Sequence, residues 1–437
     1  MSVADVTTAV LGDIAVILLV STLLSGLARR FGQPAVIGQI LTGVVLGPTL
    51  LGRLPGNPTG RLFPPEALPY LSVLAQVAIV TFMFVVGYEL NLRSLRASGR
   101  TTLSVAAVAL LVPMTLGAGT VQFLPSVFSS VGEHAVGSRS FVLFMAVAVS
   151  ITALPVLAAI IRDTGIAGTR ASVVALSAAG LMDIGAWTAL AAAMPGESHG
   201  LSVPKTVLLT VVLVLGGALV VRPLLNRWID RPGGLFMPQL PVAIILATSC
   251  AWATSQLGLH AVFGGFLAGL LMPRRDGAPD VDVLRAMEGA TDLLLPLFFV
   301  VTGLSLNLGA LDRNSVLVLF LLLLISVAGK VVPGYLVSRL NRLERRESAT
   351  VAVLLNTRGL TELIALNVGL SAGIIHGRLF TVLVLVALIT TAMTSPLLAL
   401  LARPRTPRPA PASRVLGPAS RSAQARHRVP RHRTAHA

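Results

Sequence analysis

The chain has 437 residues, 54% of them hydrophobic and only 12% charged, with a mean hydropathy of +0.83 and a formal net charge of +16. An ordinary soluble domain carries about 25% charged residues, so this composition excludes a soluble enzyme, a disordered chain and a small disulfide scaffold. A single cysteine, Cys250, excludes an intramolecular disulfide, a paired-cysteine redox centre and any multi-cysteine metal site.

Apolar runs of roughly 20 residues, long enough to span a bilayer as helix, recur along the chain. Thirteen are expected, which predicts an all-α polytopic membrane protein. The first, near 8–28, follows Asp5 rather than a positive n-region, so it reads as a retained span and not a cleavable signal peptide. The second, near 33–52, carries Gly43 and Gly47 at a spacing that lets helix backbones approach in lipid. The third (67–90) ends at Glu89, and the fourth covers 101–124. The fifth, 140–162, contains Ser150-Ile151-Thr152-Ala153-Leu154-Pro155. Pro155 lacks an N–H and crowds the preceding turn, so the helix is expected to kink or open there. The sixth, 169–194, holds Asp183 at its centre. The seventh and eighth fall near 201–223 and 238–257. The ninth, 260–273, is only about 14 residues, short enough to be re-entrant, and repeats the close-packing spacing at Gly265 and Gly269. The tenth covers 291–308. The eleventh, 315–338, carries Lys330 in mid-span, and the twelfth, 346–371, contains Asn356-Thr357-Arg358-Gly359 and Glu362. The last runs over 378–402.

Residues 403–437 form a separate tail with nine arginines, three histidines and no acid. Such a composition buries no core and is expected to be disordered, lying in the cytoplasm against anionic lipid. Nucleic-acid binding is not expected, since aromatics and a folded module are absent.

Basic residues set the orientation. Loops after odd-numbered spans hold 17 arginines before the tail is counted, against six basic residues in loops after even-numbered spans. The positive-inside rule then puts the N-terminus outside and the C-terminus in the cytoplasm of a cell membrane.

Two pairs of stretches match within the chain. Phe82 to Leu95 (FMFVVGYELNLRSL) and Phe298 to Leu311 (FFVVTGLSLNLGAL) share seven of 14 positions. Ala35 to Gly43 (AVIGQILTG) resembles Ala261 to Gly269 (AVFGGFLAG). Each pair is seven spans apart, and an odd separation reverses direction through the bilayer. The chain therefore reads as inverted repeats, roughly 33–194 and 260–402, a signature of secondary transporters with a midplane site.

Few ionisable residues lie deep in spans, where a charge costs about 2.5–3.5 kcal/mol on insertion scales and marks a function when kept. Asp183 and Lys330 are the clearest, with Arg358 and Glu362 four apart in span 12. Asp13 and Glu89 sit near span ends and are expected to reach the interface. Spans 5 and 12 both look interrupted, and broken helices are tolerated at membrane depth where their backbone is buried in protein or lines a cavity. Ser150, Thr152 and Pro155 in one break, with Asn356, Thr357 and Arg358 in the other, thus surround a carbonyl-rich site with one carboxylate. A desolvated carboxylate holding either a proton or an alkali cation exchanges them by competition. As an alternative, Asp183 is a structural partner of Lys330, and the two roles are compatible.

These residues resemble the monovalent cation:proton antiporter superfamily, in the branch with the plant cation/H⁺ exchangers and bacterial K⁺/H⁺ and Na⁺/H⁺ antiporters. The matching stretches include QPAVIGQILTGVVLGPTLLG from Gln33, SITALPVLAAIIRDTG from Ser150, HAVFGGFLAGLLMPR from His260, LPLFFVVTGLSLNL from Leu295, GKVVPGYLVSRL from Gly329 and NTRGLTELIALNVG from Asn356. The resemblance covers about residues 10–402. It implies a homodimer with a scaffold and a mobile core, crossing broken helices at spans 5 and 12, and elevator-like alternating access. It puts the family's ion-binding aspartate at Asp183, its lysine at Lys330 and its broken-helix threonine at Thr152. Electrogenic relatives carry two adjacent acids, and here the first position is Met182. A single carboxylate implies electroneutral exchange of one Na⁺ or K⁺ per proton. It also leaves Lys330 to pair with Asp183, to stay neutral, or to exclude a second charge. Nucleotide gating within the chain is not expected, since only the tail follows the last span.

No cofactor is expected, and an enzyme is disfavoured by the absence of HExxH, GxSxG and P-loop motifs. Two other functions remain open: proton-coupled transport of an organic ion or ionophore-like metabolite, and a non-transporting regulatory membrane protein.

Overall fold

The computed structural model describes residues 3–56, 58–89, 99–194, 203–229, 239–257, 259–274 and 278–402. The tail, Leu90–Leu95 of the first matched stretch, and Arg93, Arg96, Arg231 and Arg275 of the orientation count lie outside the described residues.

The chain is helical throughout its principal elements: α1 (Val3–Arg30), α2 (Ala35–Leu46), α3 (Leu68–Glu89), α4 (Arg100–Phe123), α5 (Arg139–Ser150), α6 (Leu154–Asp163), α7 (Arg170–Ala193), α8 (Val203–Gly216), α9 (Gln239–Gln256), α10 (Ala261–Leu271), α11 (Val281–Leu304), α12 (Arg313–Leu340), α13 (Arg345–Leu355), α14 (Leu360–Ser371) and α15 (Gly377–Ala402). Among the described residues ten helical stretches are long and apolar enough to cross a membrane. They match every expected span except 140–162, 238–257 and 260–273. The first of these is the broken pair α5–α6, and the last is the 11-residue α10.

α11 starts at Val281, well before the expected 291. Asp280 caps it, accepting hydrogen bonds from the Asp282 and Val283 N–H groups at 3.0 and 3.4 Å. The added turns are amphipathic: Val283 and Met287 are buried, while Asp282 and Arg285 face out. A hydropathy window rejects such a stretch even though its buried stripe packs. Asp312 likewise caps α12, where the Ser315 N–H and hydroxyl, each at 2.8 Å, hold its carboxyl below the usual range.

Helix packing divides the bundle. The broad helix–helix seams join α1, α2, α3, α9, α10 and α11 to one another, and α4, α5, α7, α12 and α13 to one another, with α6 and α14 in lighter contact with the second set. Between the two sets the backbone approaches are sparse, and side chains meet instead. Phe82, Met83, Phe298 and Phe299 of the first set share an apolar cluster with Phe141, Phe144, Leu363 and Ile364 of the second.

The first set is held by glycine. A Cβ at Gly43 would lie 2.6 Å from the Gly303 Cα and the Phe299 carbonyl oxygen, so α2 and α11 touch backbone to backbone. A Cβ at Gly269 would lie 2.1 Å from the Phe84 carbonyl oxygen and 2.9 Å from the Gly87 carbonyl carbon, which fixes α10 on α3. In the matched stretches Gly43 aligns with Gly269 and Gly87 with Gly303, so the two seams occupy equivalent positions.

Candidate cation and proton site

Two broken helices cross in the second set. α5 ends at Ser150, and Ile151–Ala153 runs extended before α6 begins. Pro155 therefore does not break a continuous helix. It sits in the first turn of α6, where a missing N–H costs nothing. α13 ends at Leu355, and α14 begins after Gly359, whose φ of 148° and ψ of −123° only glycine adopts readily. Arg358 thus lies in the break, not on a helix face shared with Glu362.

The two linkers bind each other directly. The Ala153 N–H donates to the Thr357 carbonyl at 3.1 Å, and the Thr152 hydroxyl donates to the Leu355 carbonyl at 3.0 Å. The C-terminal ends of α5 and α13 bring partial negative charge to the crossing. Two buried basic side chains answer it. Lys330 Nζ, from mid-α12, donates to the Ile151 carbonyl and the Thr152 Oγ1, both at 2.5 Å, and to the Leu355 carbonyl at 3.4 Å. Arg358 donates to the carbonyls of Ala148, at 2.8 Å, and Val149, and pairs with Glu362 at 2.5 Å. The Thr391 hydroxyl of α15 binds the Arg358 carbonyl at 2.6 Å. Arg358, Glu362 and Lys330 are all fully buried.

Asp183 projects from α7, which packs against α5, α6 and α13. It is 2% exposed, and its Oδ2 has no hydrogen-bond partner. No ion pair within 4.0 Å joins it to Lys330 among the described residues. Lys330 instead spends its donors on the broken backbone. Other buried polar atoms here are also unpartnered: both side-chain heteroatoms of Asn356, the Thr357 Oγ1, the Glu362 Oε2 and the Arg358 Nε. Such atoms are costly unless water or an ion meets them.

Met182 and Ser150 are placed differently. Met182 packs with Val105, Ala106, Ala109, Val351 and Leu355, so an acid there would lie against apolar side chains. Ser150 hydrogen-bonds its own helix at Val147, 3.0 Å away. Asp13, expected at the interface, is buried in α1 with an unpartnered Oδ2, because α2 and α11 cover that face. Asn367 of α14 was not singled out from sequence. Its Nδ2 donates to the Thr302 Oγ1 of α11 at 3.0 Å, across the two sets. No periodicity or spacing marks such a lone asparagine.

The family described as sodium/hydrogen exchanger, transmembrane, matches residues 15–401. This chain belongs to that family. It is 34% identical to the Na⁺/H⁺ antiporter NhaS4 of Synechocystis over 395 residues, covering 89% of this chain and 96% of that one. It is 35% identical to cation/H⁺ antiporter 17 of Arabidopsis thaliana over 402 residues, 90% of this chain and 48% of the plant protein. This exchanger-family chain thus spans about half the length of the plant relative and nearly all of the cyanobacterial one. Its fold is similar to that of the sodium proton antiporter MjNhaP1 from Methanocaldococcus jannaschii, with a TM-score of 0.63 at 16% identity, covering 91% of this chain and 100% of that one. The family is one of transporters, not enzymes.

Proposed function

We infer that this exchanger-family chain is a monovalent cation/proton antiporter with Asp183 as its exchange group. The observation that carries the reading is the unpartnered buried carboxylate beside two crossing broken helices and their orphaned polar atoms. In this reading the cation is substrate. Asp183 holds either it or a proton, and Thr152, Asn356 and Thr357 face the site from the linkers. Arg358 holds one linker open by occupying the Ala148 and Val149 carbonyls, and Lys330 the other by occupying the Leu355 carbonyl, all of which a continuous helix would use. Glu362 neutralises Arg358.

Binding of the two ions at one carboxylate makes exchange electroneutral, one Na⁺ or K⁺ for one proton. Lys330, Arg358 and Glu362 stay with the protein and add nothing to the count. The division into two helix sets, one fused by glycine and one holding the crossing, supports an elevator movement of the second set against the first. Inverted repeats over roughly 33–194 and 260–402 accord with the equivalent glycine seams. The arginine bias supports a cell-membrane protein with the N-terminus outside. Homodimerisation is proposed from the family resemblance, and anionic lipid contact from the composition of the basic tail.

Purified protein in liposomes with an imposed pH gradient and a pH-sensitive dye tests the reading. Na⁺, K⁺ or a non-permeant control cation is added with the potential clamped or free. Gradient collapse by Na⁺ or K⁺ at equal rates in both conditions is expected and names the ion. No response to any alkali cation overturns the reading.

A further inference from the structure

We propose that Trp187 and Phe263 form the gate that shuts Asp183 off from the outer side of the membrane. The proposal rests on Asp183 as the exchange group and on the orientation given by the basic residues. Trp187 lies four positions beyond Asp183 on α7, so the two side chains share a helix face, about 6 Å apart along the axis. The indole is 4% exposed. It meets the Phe263 ring edge to face, with centroids 5.8 Å apart and planes at 90°.

The rings belong to different helix sets. α7 moves with the broken-helix crossing, and α10 is fixed to α3 by glycine contacts. No broad backbone seam joins α7 to α10 among the described residues, and the ring pair is one contact that bridges them there. Both rings lie toward the outer ends of their helices: Trp187 between Asp183 and Ala193, and Phe263 in the first turn of α10. Their neighbours Ala186, Leu190 and Val262 belong to one buried apolar cluster, which gives a hydrated cation no ligand. The approach near the other ends of these helices differs in kind. There Glu89 ends α3, Glu288 lies near the start of α11 and Arg162 lies in the last turn of α6. Parting the two sets separates the rings without breaking a hydrogen bond between them, as a reversible seal requires.

The test places a thiol at the site. Cys250→Ser removes the native cysteine, and Asp183→Cys reports aqueous access from either side to a membrane-impermeant thiol reagent. With both rings intact, labelling is expected from the cytoplasmic side and slow from outside. Trp187→Ala and Phe263→Ala should each raise outside labelling roughly three- to tenfold, the range an edge-to-face ring pair represents. Trp187→Phe keeps an aromatic ring and should stay close to the parent. Outside labelling that ignores both alanine variants overturns the gate. So does a response to Trp187→Ala alone, which would make the indole a packing residue of α7. A thiol at 183 unreachable from either side in every variant overturns the exchange-site reading instead.

Should the alanine variants fail to insert, Trp187→Cys with Phe263→Cys serves. A short bifunctional thiol reagent should arrest cation exchange in the double variant, and a monofunctional one in either single variant should not. Undiminished exchange after cross-linking overturns the gate.

Discussion

Asp183→Asn should separate stability from transport in an unusual direction. The substitution is isosteric and removes a charge. In the folded protein Oδ2 has no hydrogen-bond partner, and Lys330 lies beyond 4.0 Å, with its donors engaged elsewhere. At an effective dielectric constant near 20, two charges 4 Å apart attract by about 4 kcal/mol. The compensation Asp183 receives is therefore smaller than that. Burying an ion costs several kcal/mol even after relaxation. The two nearly cancel, with a balance of about 0–2 kcal/mol in favour of the neutral amide. Asp183→Asn is thus expected to unfold in detergent at the same denaturant concentration as the parent or a slightly higher one. Cation-dependent collapse of a pH gradient in liposomes should be lost. Destabilisation by more than about 2 kcal/mol would show that the carboxylate is a structural partner with bonds the geometry lacks. Full exchange by a well-folded variant would remove Asp183 from the mechanism.

Three further outcomes are expected. Met182→Asp supplies a second carboxylate at the preceding position, set against apolar side chains, and exchange should then depend on membrane potential; a folded variant whose rate ignores potential refutes the single-carboxylate account of electroneutrality. Glu362→Gln leaves the Arg358 guanidinium buried with carbonyls alone and should cost about 3–5 kcal/mol, read as a lowered unfolding midpoint, while a parental midpoint would mean that water already neutralises Arg358. Gly43→Ala drives a methyl into the Gly303 backbone and should cost at least about 1–3 kcal/mol with loss of monodisperse protein on size-exclusion chromatography; unchanged behaviour would show that α2 and α11 slide freely.

The sequence was most legible where lipid imposes a rule. Every backbone polar group must be satisfied in hydrocarbon, so apolar runs read as helices and the polar run Asn356–Gly359 as a break. Asp183 and Lys330 stood out because a charge in mid-span is costly. What those charges touch was not legible. Lys330 reaches the Ile151 carbonyl across 179 positions, a contact set by the crossing and not by any local pattern. Pro155 pointed to the right helix, yet the break falls at Ile151–Ala153, because the two linkers hydrogen-bond each other there. Asp13 was misjudged because span position says nothing about which neighbour covers a helix face. The glycine spacing at 43 and 47, and at 265 and 269, did forecast contacts that proved backbone-tight.

The two short scaffold helices have a bearing on the electric field. α10 has 11 residues and α2 has 12, so they rise only about 16 and 18 Å, little more than half the roughly 30 Å of a bilayer's hydrocarbon. They lie at equivalent places in the two matched stretches. Each regular helix therefore covers only part of that thickness, and the rest falls to the segments that flank it. The glycine seams at Gly43 and Gly269 thus lie on helices that end within the depth where the transmembrane potential falls.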